Sequence, residues 1–234
     1  MVGPDRRATA QGSASTRERL IESAVRLFGE RGIAATSLRA LTDAAGTNVA
    51  AVNYHFGSKE GLLRAAIDQT MRAVNHERRR RLNELESAPE PPSVAALVRA
   101  FVEPGADLVD GHGPSGPDIA RFLGRVIGEP DPQVRQIFAD QVNTVEGRYL
   151  AAMRDALPDL DEDHVGFAFT SMLGVLSLHQ TGAFRTLEWP QTQGPAPQTD
   201  RRAGRSSAAD RERLVAFITG GILATLPSGA ATDT

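Results

Sequence analysis

Apolar positions recur at helical spacing along nearly the whole chain. Leu20, Ile21, Ala24, Leu27 and Phe28 form an i, i+3/4, i+7/8 stripe that predicts an amphipathic helix over 17–31. Ser15 or Thr16 suits its start, and Gly32 suits a left-handed stop. Leu38 and Leu41 predict a second, short helix capped by Thr36. Ala45-Gly46-Thr47 reads as a turn, Asn48 as the cap of a third helix near 49–56, and Gly57-Ser58 as the break before a long fourth helix near 59–86. After the proline-rich S-A-P-E-P-P-S at 87–93, the pattern predicts helices over 94–110, 118–128, 132–156, 161–184 and 210–226. Ser93 caps the first of these, and the Asp131-Pro132 step opens the third. No alternating strand pattern competes, so the fold class is all-α.

Three short helices within sixty residues make a small N-terminal head, 16–62, and the long fourth helix joins it to a larger helical domain, 63–227. Residues 186–209 hold Pro, Gln, Gly, Ser and Arg with almost no apolar content and read as a flexible loop. Residues 1–15 and 228–234 read as disordered tails.

Composition narrows the class. The 234 residues are 41% hydrophobic, enough for a packed core. Absence of cysteine excludes disulfides, thiolate zinc sites and cysteine nucleophiles. No apolar run reaches the roughly 20 residues of a membrane helix, and M-V-G-P-D-R-R-A-T-A-Q-G-S-A-S lacks the apolar stretch of a secretory signal. A cytoplasmic protein with no membrane partner is expected. Net charge is −3, divided as +2 over residues 1–60 and −5 over the rest, so charge alone does not point to nucleic acid.

The residue pattern of the head does. Gly46 permits a tight turn between two crossing helices. Val52 and Phe56, four apart, share one helix face and can pack on the first helix. Val49, Ala50, Asn53 and Tyr54 are then turned outward. Small apolar groups, an amide and an aromatic ring make an odd face for water and a sensible one for a major groove. Asparagine can form two hydrogen bonds with adenine, and Val or Ala can touch a thymine methyl. Arg39, on the preceding helix, can pair with guanine or a phosphate.

Residues 17–63 resemble the TetR-family DNA-binding domain. The resemblance rests on an opening helix ending in L-F-x-E-R-G, then T-S-L-R-x-L, A-G, a short recognition helix, and F-x-S-K-E-x-L. It implies that Arg39, Val49, Ala50 and Asn53 occupy base-reading positions beside the Asn48 cap. It places Thr36, Ser37, Ala51, Tyr54, His55 and Lys59 near phosphates. Where the common pattern has an aromatic, this chain has Asn53; where valine is frequent it has Thr47; and the recognition helix holds no Lys or Arg. The variant A-A-V-N-Y-H-F-G-S-K-E is similar to the PsrA-type branch.

Residues 118–184 are also similar to PsrA-type C-terminal domains, through R-F-L-G-R-V-I-G-E-P, Y-L-A-A-M-R-D-A-L-P and F-A-F-T-S-M-L-G-V-L-S-L-H-Q-T-G. That resemblance implies a small lipophilic effector, fatty-acyl in some relatives. Apolar helical positions supply pocket candidates: Phe101, Leu108, Phe122, Val126, Val145, Met153, Phe169, Met172 and Leu176, with Tyr149 and His179 as polar groups to orient a ligand. The helices near 161–184 and 210–226 are expected to build a homodimer as a four-helix bundle, with Gly174 allowing close approach.

Other chemistry finds no footing. The five histidines form no H-E-x-x-H motif, and D-L-D-E-D at 159–163 lacks the glycine and spacing of a calcium loop. G-H-G-P-S-G-P at 111–117 reads as a loop and lacks the lysine of a phosphate loop. No catalytic residue, metal or cofactor is expected. Arg78-Arg79-Arg80-Arg81 lies roughly 30 Å along the fourth helix from Lys59, among glutamates, and reads as a solvated face or a dimer contact. The sequence thus predicts a ligand-responsive DNA-binding regulator, a repressor released from a palindromic double-stranded operator by its effector. The alternative is a ligand-independent dimeric DNA-binding architectural protein, whose larger domain would serve dimerisation only.

Overall fold

The computed structural model describes residues 15–108, 113, 115–181 and 208–226. Over them run nine helices and no strand: α1 (Thr16–Arg31), α2 (Leu38–Ala44), α3 (Val49–Phe56), α4 (Lys59–Glu86), α5 (Val94–Ala106), α6 (Gly116–Ile127), α7 (Pro132–Ala156), α8 (Glu162–Thr181) and α9 (Ala208–Leu223). The expected tails over 1–14 and 228–234, the polar loop over 186–207, and the last residues of the expected fifth and eighth helices (109–110 and 182–184) lie outside the described residues.

Local hydrogen bonds explain where most helices begin. Ser15 Oγ accepts from the Glu18 amide at 3.2 Å while Glu18 Oε2 accepts from the Ser15 amide at 2.8 Å, a full capping box that takes Ser15 out of the tail. Asn48, Ser58, Ser93 and Asp131 cap α3, α4, α5 and α7 as the sequence suggests. Asp161 accepts from the His164 amide at 2.9 Å at the start of α8.

Several starts and stops differ from expectation: α5 ends at Ala106 rather than at 110, α9 begins at Ala208 inside the expected 186–209 loop and ends at Leu223 rather than at 226, and the starts and stops around α1 and α2 differ in detail. The cap of α2 is Ser37, whose Oγ accepts from the Ala40 amide at 3.1 Å. Thr36 is buried instead, and its hydroxyl donates to the carbonyls of Gly32 (2.7 Å) and Leu27 (3.2 Å). Ser37 directly precedes the first helical residue, while Thr36 faces the core and ties the loop back to α1. Gly32 ends α1 at φ 85°, ψ 160°, an extended conformation open to glycine rather than the left-handed helical one.

The apolar side chains form two cores. In the first, Leu20, Leu27 and Phe28 of α1, Leu41 of α2 and Val52 of α3 pack with Leu62, Leu63 and Ile67 of α4 and with Phe122, Leu123 and Val126 of α6. The head is therefore not closed on itself, since its core runs directly into α6. The second core joins Leu82 of α4, Leu97 and Phe101 of α5, Tyr149 and Met153 of α7, Phe169 and Met172 of α8, and Val215 and Ile218 of α9.

Candidate functional site

The helix-turn-helix is set by three short-range devices. Gly46 takes φ 63° in the turn, a region disfavoured for residues with a Cβ. Asn48 Oδ1 accepts from the Ala51 amide at 3.1 Å and starts α3. Val52, fully buried, anchors α3 on the head core, with Phe56 half-buried beneath the Arg17 guanidinium at 5.5 Å. With that side fixed, Asn48, Val49, Ala50, Asn53, Tyr54 and His55 all face solvent, Tyr54 at 85% exposure. The Tyr54 and His55 rings meet edge to face, 5.0 Å apart. Ala51 is half-buried against the core.

Ser37 and Arg39 stand on the exposed side of α2, and Arg39 approaches Asp43 at 4.0 Å with both side chains in solvent. Such a pair holds little energy and leaves the guanidinium available to a stronger anion. Thr36 and Lys59 differ from these residues. The Thr36 hydroxyl is turned inward, as described above. The Lys59 ammonium donates to the Ile33 carbonyl at 2.5 Å and lies 6.0 Å from the Phe28 ring centre. It bolts the start of α4 to the connection that follows α1.

The pocket candidates do not come together. Leu108, Phe122 and Val126 lie in the core shared with the head, whereas Phe101, Val145, Tyr149, Met153, Phe169, Met172 and Leu176 lie in the second core. Helical periodicity marks inward faces but not which neighbouring helix each face meets. His179 is half-buried on α8.

The arginine run also divides, where the sequence suggested one solvated face or a dimer contact for all four. Arg80 is exposed and paired with Glu77 and Glu84; Arg81 bridges Glu77 of its own helix and Glu103 of α5; Arg78 is fully buried. Arg78 Nε donates to the Phe101 carbonyl at 2.9 Å, and Tyr149 Oη donates to the Arg78 carbonyl at 2.8 Å. Burial lowers the Arg78 pKa to about 10, opposed by the charges of Glu146 and Tyr149. Burial likewise pushes the Tyr149 phenol up to about 12. Composition gave no hint of this arginine, because its neighbours in sequence are solvated.

A third feature lies on α8 and α9. Phe167 (67% exposed) and Phe217 (69% exposed) flank an apolar groove floored by Met172, Val175, Ile218 and Ile222.

Residues 99–221 match the family described as tetracyclin repressor-like, C-terminal domain, and residues 20–66 match the bacterial regulatory proteins of the tetR family. The transcriptional regulator YttP of Bacillus subtilis is 40% identical over 55 residues, covering 24% of this chain and 27% of that relative. The chain thus aligns with about a quarter of that relative's length. The fold is similar to that of PfmR from Thermus thermophilus, with TM-score 0.57 and 22% identity over 93% of this chain and 100% of that one. It is similar also to the fatty acid degradation regulator FadR from Bacillus halodurans, with TM-score 0.60 and 13% identity over 96% and 100%.

Proposed function

Because the chain belongs to the TetR family of transcriptional regulators, we propose that it is a repressor that holds a palindromic operator as a homodimer and leaves it on binding a small lipophilic effector. The observation that carries the DNA half of this reading is the outer face of α3. Val49, Ala50, Asn53 and Tyr54 stand in solvent above a fully buried Val52. Asn53 is assigned to a base edge, Val49 and Ala50 to thymine methyls, and Arg39 to guanine or phosphate. Ser37, Tyr54, His55 and the backbone around Asn48 and Ala51 are assigned to the phosphates. Lys59 is assigned to a phosphate as well, because an ammonium keeps two further N–H donors beside the one given to Ile33.

Two copies joined through α8 and α9 would present two recognition helices about 34 Å apart, one turn of DNA. The exposed Phe167 and Phe217 rings support that pairing, since a monomer gains nothing by leaving two aromatic side chains of one groove in water. Effector in the larger domain acts on the head by two routes. One is α4, which runs from the second core to Lys59; the other is α6, which shares the head core. The effector shifts the dimer only by binding the low-affinity arrangement better than the operator-binding one. The motifs similar to PsrA-type regulators support a fatty-acyl effector; the likeness to FadR, at 13% identity, speaks to fold alone.

Selection of bound duplexes from a random pool at one fixed salt concentration tests the reading. Enrichment of a palindrome is the expected result. A folded dimer that binds every duplex alike would instead support the architectural protein.

A further inference from the structure

Arg78 is 2% exposed and lies where α4, α5, α7 and α8 meet. Its guanidinium carbon sits 3.7 Å from the Phe101 ring centre, and among the described residues its guanidinium hydrogen-bonds to a backbone carbonyl, that of Phe101. No carboxylate of the described residues lies within ion-pair distance of it; Glu146 acts on it only through space. A buried ion normally has a charged partner and fills its remaining donors, because desolvation is otherwise uncompensated.

One polar atom beside it is unmatched among the described residues. One turn earlier on α4, Asn75 Oδ1 is buried with no donor. Gly105 of α5 passes so close that a Cβ there would stand 2.7 Å from Arg78 Nη2 and 3.0 Å from both Gln180 Nε2 and Leu176 Cδ2. Gln180 Nε2 donates to the Gly105 carbonyl at 2.7 Å. Two N–H-bearing side chains thus converge on a glycine, beside the apolar Phe101, Phe169 and Met172 of the second core.

We infer that the effector is an apolar monocarboxylate whose carboxylate pairs with the Arg78 guanidinium at this junction while its tail lies among Phe101, Phe169 and Met172. The inference rests on the effector-release reading above and names the chemistry of that effector. A guanidinium offers a planar fork that matches a carboxylate. A phosphate dianion would crowd two negative charges beside Glu146, so a monoanion fits the single cation better. Because Gly105 lies against Nη2, the carboxylate reaches the fork only as α5 moves outward, and that motion strains the seat of α4.

The test uses the full chain, its selected operator, and two probe acids, decanoate and 3-phenylpropanoate, each against its methyl ester. At least one acid is expected to raise Tm and release the operator, with its ester about 10- to 100-fold weaker, the range of a charge-assisted hydrogen bond. Arg78→Met is expected to keep or raise Tm without ligand, since an unpaired buried charge is removed, and to lose the acid response. Glu146→Gln is expected to strengthen acid binding by removing a competing anion. Ester and acid acting alike, neither acid binding, or Arg78→Met retaining the response each overturns the inference. So does a large Tm loss in both Arg78→Met and Glu146→Gln with acid binding unchanged, which would make the two residues a structural pair. An acid that binds through Arg78 yet leaves operator affinity untouched would instead sink the effector-release reading and keep the site.

Discussion

A Cβ on Gly29 of α1 would stand 2.9 Å from the backbone nitrogen of Phe122 in α6. No such pair of atoms fits, so the absence of a side chain at residue 29 is what lets the head seat on α6. The Phe28 and Phe122 rings stack beside it with centres 6.4 Å apart. A helical Gly→Ala change usually stabilises by about 0.5–1 kcal/mol. Here the neighbour is backbone and cannot swing away, so Gly29→Ala is expected to cost about 1–3 kcal/mol, as overpacking does. It should also blunt operator release if α6, which shares the head core, is the second route proposed from effector to head. Urea unfolding and an operator titration with effector measure both; a higher unfolding midpoint would disprove the close seat.

Asn53 is the one amide on the outer face of α3, and a two-bond contact with adenine discriminates by about 1–3 kcal/mol. Asn53→Ala is therefore expected to flatten one position of the selected operator while leaving the rest of the motif. Selection repeated with the variant reads this directly. An identical motif from both proteins would remove Asn53 from the base-reading set.

Legibility followed the range of the forces involved. The caps at Ser15, Asn48, Ser58, Ser93 and Asp131 were readable because each side chain bonds an amide two or three residues away. The outward face of α3 was readable because Val52 and Phe56 fix its phase. Thr36 and Ser37 were confused because both are adjacent hydroxyls, and only the packing of α1 decides which one turns inward. The separation of Phe122 and Val126 from Phe101 and Tyr149 was not readable, since helical spacing carries no record of which helix lies opposite. Arg78 was hidden for the same reason.

Lys59, the only lysine in the chain, is the first residue of α4 and holds the Ile33 carbonyl. Lys59→Ala is expected to cost about 1–2 kcal/mol of stability, the scale of a hydrogen bond to a charged group. It should also weaken binding to all duplexes and reduce the slope of log affinity against log salt by about 0.9, the value of one lost phosphate contact. Binding measured from low to moderate salt separates the two roles. Lost stability with an unchanged slope would confine Lys59 to its Ile33 contact.

The Arg80 and Arg81 side chains both donate to Glu77, and these bonds hold its carboxyl at about 2, down from 4.5. Arg81 also reaches Glu103, so the cluster ties α4 to α5. A carboxyl lowered on folding stabilises the native state above its unfolded pKa and loses that contribution as pH falls toward the folded value. Stability should therefore decline between about pH 4.5 and about pH 2. Glu77→Gln should be less stable than the parent at pH 7 and lose less on acidification. Unfolding midpoints at pH 7 and pH 3 check the difference; parallel losses in the two proteins would assign the acid sensitivity elsewhere.

Phe167 of α8 and Phe217 of α9 are about two-thirds exposed in the single chain, at 67% and 69%. If a second copy covers them, each becomes a buried aromatic near the centre of an isologous contact, where truncation commonly costs about 2 kcal/mol or more. Phe217→Glu adds a charge that its symmetry mate repeats across the axis, so repulsion adds to the lost burial. Weakening of the dimer by at least about 30-fold is expected, the equivalent of roughly 2 kcal/mol. The fold of each chain should be little changed, because Phe217 is not part of the monomer's core. Operator affinity should fall with it, since a lone head reads one half-site and loses the linkage to the second. Sedimentation equilibrium across a range of concentrations gives the dimer constant, and the same samples give operator binding. A variant that stays fully dimeric would place the interface on another face, and the proposed spacing of the two recognition helices would have to be rebuilt from that face.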